Sequence, residues 1–461
     1  MVGETLTHQK KAVDLSPKLR GQTDISLAFI VGIRRSQDDV IGGRFHARKM
    51  LQFCKKRGSF QKARAGAVLY VCHQRIKPPR SLSITDAAVV ITSIREEFAM
   101  KIIAFEEHFK LPSIHEANKK ANDPVEQAYD TISKSGHFVH DPKTGFPAGI
   151  YDLGEGRIAA MDEAGIDVQI LSHTVPSTEN LEPSLARVLS TQANDAMAAA
   201  ISKYPDRFLG FATLPMRDPA AAVRELERCV HDLHFVGALI NGHVNGRYLD
   251  DKFFWPVFEC AEALGVPIYL HPQIPPKPVV DAYYSGFAPE VSAFLSIAGL
   301  GWHIDTGIHS VRLILGGVFD QFPALQIIVG HHLEALSYMA WRADYSFPLN
   351  KNGGLKRTIK EYLRENFYGG VLAGEYPDQK PGAMDESWSL SYHAYLGMAN
   401  TIGIDRVLFT TDYPYGSMKA ARPFFNHMPI NANDREKIAH LNAERLLGLG
   451  QGAAHLRRAA E

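Results

Sequence analysis

The sequence predicts an α/β fold: a (β/α)8 TIM-like barrel with extra C-terminal helices, preceded by a disordered N-terminal extension. From residue 100 onward, short apolar runs of strand length alternate with longer helical patterns. Eight such runs can be counted, and eight parallel strands close a barrel. The alternative, a doubly wound open sheet, would need a glycine-rich phosphate-binding turn after the first run, and "EEHFKLP" there is nothing like one.

The elements follow one another in a regular order. Strands are predicted at 101–106, 167–172, 208–215, 237–241, 266–272, 325–331, 366–373 and 406–412. A long polar loop is predicted at 110–155, and helices are predicted at 156–165, 184–205, 218–233, 253–264, 289–319, 332–346, 354–365 and 386–402, with two more after the last strand. Asp218 and Pro219 are typical of a helix start, and Gly165 is typical of a helix end.

The first hundred residues differ in composition from the rest. Residues 1–99 contain 18 Lys and Arg against 8 Asp and Glu, although the whole chain has a formal net charge of zero. A basic arm can bind nucleic acid, but here the basic residues are scattered, without a zinc-ligand spacing or a basic helix. We therefore expect residues 1–99 to form a basic disordered extension and residues 100–461 to form the barrel. A true start at Met100 is a further possibility.

The bulk composition is typical of a soluble globular enzyme. The chain is 45% hydrophobic and 22% charged, and none of its apolar runs approaches the roughly 18 residues of a membrane span. The four cysteines, Cys54, Cys72, Cys229 and Cys260, form no CxxC pair. Reduced thiols of this kind predict a cytoplasmic protein.

Polar groups stand where several of the apolar strands end. In a strand, residues i and i+2 face the same side, so Glu106 and His108 can both point into the barrel mouth while Glu107 points away. His271 and Asp412 follow strands five and eight at the same rim. Taken singly, these residues could be a surface salt bridge, a core histidine and a helix cap. Together, two carboxylates and two imidazoles balance and surround a divalent ion, which indicates a Zn²⁺ or Mn²⁺ site.

A further histidine stands beside this set. His331 ends strand six, and Glu334 lies one helical turn further on, where it could orient the imidazole for acid–base work. His332 is expected to face elsewhere. Arg342 on the same predicted helix could bind a carboxylate or pair locally, and the pattern does not separate the two.

The Glu-x-His of "FEEHF", together with "YLHP", "IIVGHHLE", "FTTDYP" and "LNAERLLGL", resembles the amidohydrolase-2 branch of the amidohydrolase superfamily. More narrowly it resembles the nonoxidative aromatic decarboxylases that act on 2,3-dihydroxybenzoate, γ-resorcylate and 5-carboxyvanillate. The resemblance runs from about Met100 to Leu449. The chain departs from the family pattern at Leu333, where glycine is common, and by an apparent insertion after strand seven.

This resemblance implies a metal-dependent carboxy-lyase that releases CO₂ from a small aromatic carboxylic acid. It implies one divalent metal ion per subunit, Zn²⁺ or Mn²⁺, and no organic cofactor. Partners in this picture are the substrate and other copies of the chain in a dimer or tetramer, with no nucleic acid and no membrane. The residue roles it implies are metal binding by Glu106, His108, His271 and Asp412, proton donation by Asp412, assistance by His331 with Glu334, and substrate contact across a subunit boundary by Arg342.

Two other classes of function fit the same residues less well. The same ligands could activate a water molecule for hydrolysis of a lactone, ester or amide, with Asp412 as the base. A catalytically inactive barrel could instead serve as a binding or scaffold protein, but the intact set of candidate ligands favours an enzyme.

Overall fold

The structure, a computed structural model, describes residues 28–31, 59–62, 68–71, 100–135, 146–347, 354–372 and 384–449. For residues 28–31, 59–62, 68–71, 135 and 384–390 it describes the backbone alone. The chain divides into two compact units, Met1–Thr92 and Ser93–Glu461. In the first unit, the strands Ala28–Val31, Ser59–Lys62 and Val68–Val71 form an antiparallel sheet with the third strand in the middle. The predicted disorder of residues 1–99 concerns residues that lie mostly outside the described ones, and it stays a prediction.

The second unit is a parallel eight-stranded barrel, as predicted. Each strand pairs with the next in chain order, and a parallel bridge between Phe105 and Thr410 joins the last strand to the first. The strands are β1 (Ile103–Phe109), β2 (Val168–His173), β3 (Phe208–Thr213), β4 (Gly237–Asn241), β5 (Ile268–His271), β6 (Ile327–Val329), β7 (Phe367–Val371) and β8 (Val407–Phe409).

Helices surround the barrel and continue after β8. They are α1 (Pro112–Lys120), α2 (Pro124–Ser135), α3 (Glu155–Ala164), α4 (Pro183–Lys203), α5 (Pro219–His231), α6 (Trp255–Leu264), α7 (Lys277–Val279), α8 (Pro289–Ser296), α9 (Gly301–Leu315), α10 (Val318–Gln321), α11 (Leu336–Ser346), α12 (Ile359–Asn366), α13 (Met384–Ile402), α14 (Met418–His427), α15 (Ala432–Glu436) and α16 (Asn442–Leu446). The Asp218 carboxylate accepts from the Ala221 N–H at the start of α5, as expected of an N-cap. Among the described residues, no helix is both long and apolar enough to span a membrane.

The prediction of one long loop over 110–155 was wrong. Helices α1 and α2 occupy most of its first half, and each begins with a proline at its first position, Pro112 and Pro124. Both helices are rich in polar residues, which gave the segment the composition of a loop. Residues 136–145 lie outside the described part, as do residues 373–383 of the apparent insertion after strand seven.

The helical stretch predicted over 289–319 is three helices in the structure. The chain breaks between α8 and α9, where Leu300 adopts an extended φ of −170°. Gly301 lies so close to the end of α8 that a Cβ there would be 2.4 Å from the Ser296 carbonyl oxygen. This close turn sets the direction of α9, whose first residues include Trp302 and His303.

Apolar side chains fill the interior of the barrel below its mouth. The buried cluster that the strands enclose includes Ile103, Phe105, Ile170, Phe211, Leu239, Tyr269, Ile328, Tyr368 and Leu408. A second, larger cluster packs the outer faces of the strands against the helices. Because this interior is closed by side chains, the chemistry is confined to the carboxyl ends of the strands.

Candidate active site

Strand β1 carries a bulge at Glu106. Its pairing with β2 shifts register between Ala104 and Glu107, and Glu106 has a φ of +62°. A bulge re-aims side chains and often lies next to an active site. The strand continues to Phe109, so Glu107 and His108 also lie inside it, whereas the predicted strand ended at Glu106. The bulge interrupts the regular alternation of side chains along β1. The opposite directions of the Glu106 and Glu107 side chains therefore do not follow from that alternation, as the prediction assumed.

Four predicted side chains converge at the mouth of the barrel. The candidate ligand atoms of Glu106, His108 and His271 all lie within 4.8 Å of one another. Asp412, three residues after β8, brings its Oδ1 to 3.4 Å from His108 Nε2. The His271 Nε2 lies 3.8 Å from Glu106 Oε1. The structure thus brings all four residues of the predicted metal set together at the mouth, with Asp412 beside His108 and the other three within mutual reach of one ion.

Several polar atoms of this cluster do not form hydrogen bonds with one another, which suits them to bind a cation. Within the described part of the chain, both Glu106 oxygens and His108 Nε2 are buried without a hydrogen-bond partner. Burying a carboxylate without a partner costs several kcal/mol or more, so such atoms are expected to face a bound charge. His271 Nδ1 lies 2.9 Å from the Pro272 carbonyl oxygen and donates to it, which leaves Nε2 free to bind a metal.

The electrostatics of the cluster agree with this interpretation. Burial, together with the nearby rings of His108 and His331, holds the pKa of His271 well below its usual value, which favours the neutral imidazole that ligates metals. Burial also raises the pKa of Glu106, and the neighbouring histidines oppose that effect. Removal from water would raise the pKa of Asp412 as well, but the rings of His108 and His331 outweigh it and lower that pKa. Asp412 is therefore an ionised carboxylate in this arrangement.

His331 lies beside the four and contacts two of them. Its Nδ1 lies 2.7 Å from Glu334 Oε1 and 3.7 Å from Glu106 Oε1, and its Nε2 lies 3.7 Å from Asp412 Oδ2. Burial alone would lower the pKa of His331, but the negative charges of Glu106 and Glu334 raise it well above the usual range. The predicted pairing of His331 with Glu334 is present, and the ring faces Asp412.

The pairing arises from an unusual backbone rather than from the helical turn that was predicted. Four consecutive residues after Gly330 have positive φ, 45° at His331, 57° at His332, 68° at Leu333 and 53° at Glu334. The left-handed conformation costs a non-glycine residue about 1–2 kcal/mol, so glycine would be less strained than leucine at position 333. Strain of this kind is concentrated at functional sites. Gly330 itself must be glycine, because a Cβ there would lie 2.5 Å from Glu106 Oε1.

Glu107 faces away from the cluster, as predicted, and its hydrogen bonds link the first strand to the segment that follows the last strand. Its Oε1 accepts from both the N–H and the hydroxyl of Thr411, and its Oε2 accepts from Gln169. Burial raises the pKa of Glu107 to about 8, although Thr411 and Arg157 act in the opposite direction. Thr411 precedes Asp412, so this buried carboxylate also helps to fix the backbone of a candidate ligand.

Two other residues singled out in the sequence lie apart from the cluster. His332 turns away, and its Nε2 lies 2.7 Å from the Leu372 carbonyl oxygen, in agreement with a structural role. Arg342 is exposed on α11, where its guanidinium lies 5.9 Å from the ring centroid of Trp341 and 5.6 Å from that of Tyr345. The structure of the single chain does not bring Arg342 to the site.

The sequence interpretation missed the residues that α9 and the segment after β8 contribute. His303 Nδ1 lies 2.5 Å from Glu334 Oε2, and the Trp302 ring centroid lies 6.2 Å from that of His271. The Tyr415 ring lies 5.9 Å from that of His108. Trp302 and His303 fall within a predicted helix rather than at a strand end, so the rule that located the other residues does not reach them.

The fold and the site together define a class of protein: a (β/α)8 barrel with a candidate mononuclear metal centre at the carboxyl ends of its strands. A model of the amidohydrolase family matches residues 148–449. The chain is 36% identical to γ-resorcylate decarboxylase from Polaromonas sp. over 337 residues, which cover 70% of this chain and 96% of that protein. The chain therefore belongs to the amidohydrolase family, and the resemblance to its aromatic decarboxylases is confirmed.

Solved structures lead to the same group. A crystal structure of dihydroxybenzoic acid decarboxylase from Polaromonas sp., with manganese and the inhibitor 2-nitroresorcinol, matches with a TM-score of 0.64 at 33% identity, covering 77% of this chain and 98% of that one. A 5-carboxyvanillate decarboxylase from Novosphingobium aromaticivorans, with manganese and 4-hydroxy-3-methoxy-5-nitrobenzoic acid, matches with a TM-score of 0.64 at 33% identity, covering 76% and 97%.

Proposed function

We propose that this protein is a carboxy-lyase that removes CO₂ nonoxidatively from a hydroxybenzoate-type aromatic acid. The observation that carries the proposal is the convergence of Glu106, His108, His271 and Asp412 on one point, with buried ligand atoms that have no hydrogen-bond partner among the described residues. The similarity to decarboxylases of resorcylate and carboxyvanillate supports the reaction type. The same observation argues against an inactive scaffold.

We assign these four side chains as ligands of one divalent ion per subunit. Two carboxylates and two neutral imidazoles suit Mn²⁺ or Zn²⁺, and the manganese found in the relatives favours Mn²⁺. When bound, the ion supplies positive charge that attracts the carboxylate and ortho-phenolic oxygens of the substrate and stabilises negative charge on the ring. The reaction requires no organic cofactor in this scheme.

Asp412 and His331 are assigned to transfer the proton that the reaction needs. Decarboxylation consumes one proton, because the carbon that loses CO₂ must gain hydrogen. We assign the delivery of this proton to Asp412, which protonates the carboxyl-bearing ring carbon before the C–C bond breaks, so that no free aryl anion forms. The ring of His331 faces Asp412 Oδ2 at 3.7 Å and supplies the proton to it from Nε2. The bond between the ring carbon and the carboxylate carbon then breaks. CO₂ leaves without the bonding electron pair, which returns to the ring and restores its aromaticity.

Aromatic side chains suit a flat substrate. Trp302 lies beside His271, and Tyr415 lies beside His108, so aromatic rings stand on two sides of the metal cluster. Tyr129 of α2 in turn packs against Tyr415, with ring centroids 6.0 Å apart. Such surfaces favour a planar ring through stacking and edge contacts. We expect these residues to flank the substrate ring.

The test of the function is a substrate panel. Purified protein loaded with Mn²⁺ or with Zn²⁺ is expected to release CO₂ from ortho-hydroxybenzoates such as 2,6-dihydroxybenzoate, 2,3-dihydroxybenzoate and 5-carboxyvanillate. 3,5-Dihydroxybenzoate, an isomer of the first two acids, is the matched control, because neither of its hydroxyl groups is ortho to the carboxylate. Chelation should abolish the activity and added metal should restore it. Hydrolysis of a lactone, ester or amide without CO₂ release from any acid would overturn the assignment in favour of a hydrolase.

We further propose that the protein is a homo-oligomer, a dimer or tetramer, assembled through α11. This helix exposes three aromatic side chains: 80% of the surface of Tyr338, 67% of that of Trp341 and 76% of that of Tyr345 are accessible to solvent. Aromatic residues with an adjacent arginine are typical of the centre of a protein interface. Arg342 lies among these aromatic residues. In an oligomer formed through this face, the Arg342 guanidinium of one subunit would bind the carboxylate of the substrate held by the other subunit.

This interface makes its own prediction. The Trp341→Glu substitution is expected to convert the oligomer to a smaller species, since it places a charge in a buried aromatic contact. Light scattering coupled to size exclusion measures the change, and Leu185→Glu, an exposed apolar position on α4, is the matched control. An unchanged mass for Trp341→Glu would show that α11 is not the interface.

The compartment is also a proposal. Both cysteines of the described part, Cys229 and Cys260, are free thiols, and burial raises the pKa of Cys260 to about 11. Unreactive, unpaired thiols are compatible with the cytoplasmic location that the cysteine pattern predicts.

A further inference from the structure

Glu334 is shared by two histidines from different parts of the chain. Its Oε1 lies 2.7 Å from His331 Nδ1, and its Oε2 lies 2.5 Å from His303 Nδ1. The Glu334 side chain is fully buried, whereas the His303 side chain is 23% exposed. The imidazole rings of His303 and His331 lie 4.7 Å apart, with an interplanar angle of 67°. A carboxylate thus joins the histidine beside the metal cluster to a second histidine on α9.

Three such residues could hold a second metal ion, but the distances argue against it. Ligand atoms bound to one zinc ion at about 2.0–2.2 Å in a tetrahedral site would lie roughly 3.3 Å from one another. The observed contacts of 2.5 Å and 2.7 Å are instead those of charge-assisted hydrogen bonds. Burial would raise the pKa of Glu334, but His303 and His331 outweigh it and lower that pKa, so the group accepts from both rings.

The direction of the His303 hydrogen bond does not depend on the charge of that ring. His303 Nε2 lies 3.0 Å from Trp302 Nε1 and 3.1 Å from the Ala298 carbonyl oxygen. In a neutral ring, Nε2 accepts from the Trp302 indole, and the proton is on Nδ1. In a charged ring, Nε2 donates to Ala298, and Nδ1 is again protonated. In both states Nδ1 donates to Glu334.

This donation fixes the rotation of the Glu334 carboxylate. With Oε2 held by His303, Oε1 is directed at His331 Nδ1, which places the His331 Nε2 toward Asp412. The segment that carries both His331 and Glu334 has four consecutive left-handed residues, so its geometry must be imposed by contacts outside it. His303, on a separate helix, provides such a contact.

We propose that His303 is a positioning residue for the decarboxylation, acting through Glu334 to hold His331 in register with Asp412. This inference rests on the proposed function. Partners that orient an active-site imidazole in this way typically change activity by about 10- to 100-fold when removed. No contact joins His303 to any of the four candidate metal ligands within the described residues, so its loss should leave metal binding in place. His303 also accepts from the Trp302 indole, so KM is measured beside kcat to separate an effect on the substrate pocket.

The test compares two substitutions with a control. His303→Ala removes the donor to Glu334 and is expected to lower kcat about 10- to 100-fold, with KM changed less than about threefold. His303→Asn puts an amide donor near the position of Nδ1 and is expected to restore most of kcat. His231→Ala, an exposed histidine on α5, should behave as wild type. Metal content and Tm are measured for all four proteins, so that a folding defect is recognised.

Proton NMR of the zinc-loaded protein gives a second readout. The two Nδ1–H groups that donate to Glu334 are expected to give low-field resonances. His303→Ala should remove the His303 signal and shift the His331 signal, and His303→Asn should return the latter. Wild-type kcat in His303→Ala, an equal loss in both variants, or an unshifted His331 resonance would overturn the inference. A wild-type protein that releases no CO₂ would refute the proposed function instead, and the resonances would still decide whether His303 positions His331.

Discussion

The Asp412→Asn substitution is expected to abolish measurable decarboxylation while part of the metal is retained. Asparagine keeps the size of the side chain and one oxygen for the metal, but it cannot carry a proton to the ring carbon. General acid groups typically contribute about 10²- to 10⁴-fold to rate, so the loss should reach at least this range. Asp412 is placed for both metal binding and proton transfer, since its Oδ1 is 3.4 Å from Nε2 of the candidate ligand His108 and its Oδ2 is 3.7 Å from His331 Nε2.

The measurement must separate proton donation from metal binding. Metal per subunit is determined by elemental analysis beside kcat for CO₂ release, at saturating metal. Asp405→Asn is the matched control, because Asp405 is an exposed carboxylate just before β8, paired with Lys437 at 2.7 Å, and its change should leave kcat unaltered. Near-normal turnover by Asp412→Asn would remove Asp412 as the proton donor and leave His331 as the group that faces the same space.

Topology made most of the candidate site predictable. The carboxyl ends of parallel barrel strands meet at one rim whatever the side chains are. Glu106, His271 and Asp412 are far apart in the chain, but each is placed within a few residues of a strand's end, so counting strands was enough to bring them together. Strand lengths were less predictable: the predicted ends of β6 and β8 lay two and three residues too far along the chain. The backbone leaves the extended conformation at His331 and Asp412, which both have positive φ.

Backbone irregularities and contributions from helices were not predictable in this way. The bulge at Glu106 and the left-handed run from His331 to Glu334 have no composition that marks them, because tertiary contacts hold residues of ordinary preference in costly conformations. His303 is placed by the break between α8 and α9. In the sequence this break is visible only as glycines inside a long helical pattern, and a helix residue has no positional rule that points to the barrel mouth.

The Glu106→Gln substitution is expected to have opposite effects on the metal-free and the metal-loaded protein. Without metal, burial is the largest influence on Glu106 and disfavours its charge, and both of its oxygens lack a hydrogen-bond partner of ordinary geometry within the described chain. The carboxylate of Asp412 adds to this cost, whereas His331, His108 and the Tyr269 hydroxyl offset part of it. A neutral amide of the same size removes the cost of burying that charge. We therefore expect metal-free Glu106→Gln to have a Tm equal to or higher than that of metal-free wild type.

With metal the order should reverse, because the substitution removes one of the two negative charges that bind the ion. Metal at 1,000 times its Kd stabilises a protein by about 4.1 kcal/mol, and a 100-fold rise in Kd removes about 2.7 kcal/mol of this. Thermal unfolding with and without Mn²⁺ measures both effects, with Glu116→Gln, an exposed residue of α1, as the control. A substitution that lowered Tm equally in both states would indicate that Glu106 stabilises the fold through contacts of its own. A crossing of the two orders is expected when the charge of Glu106 is unfavourable alone and favourable beside a cation, as for a metal ligand, whereas a structural carboxylate would lower Tm in both states.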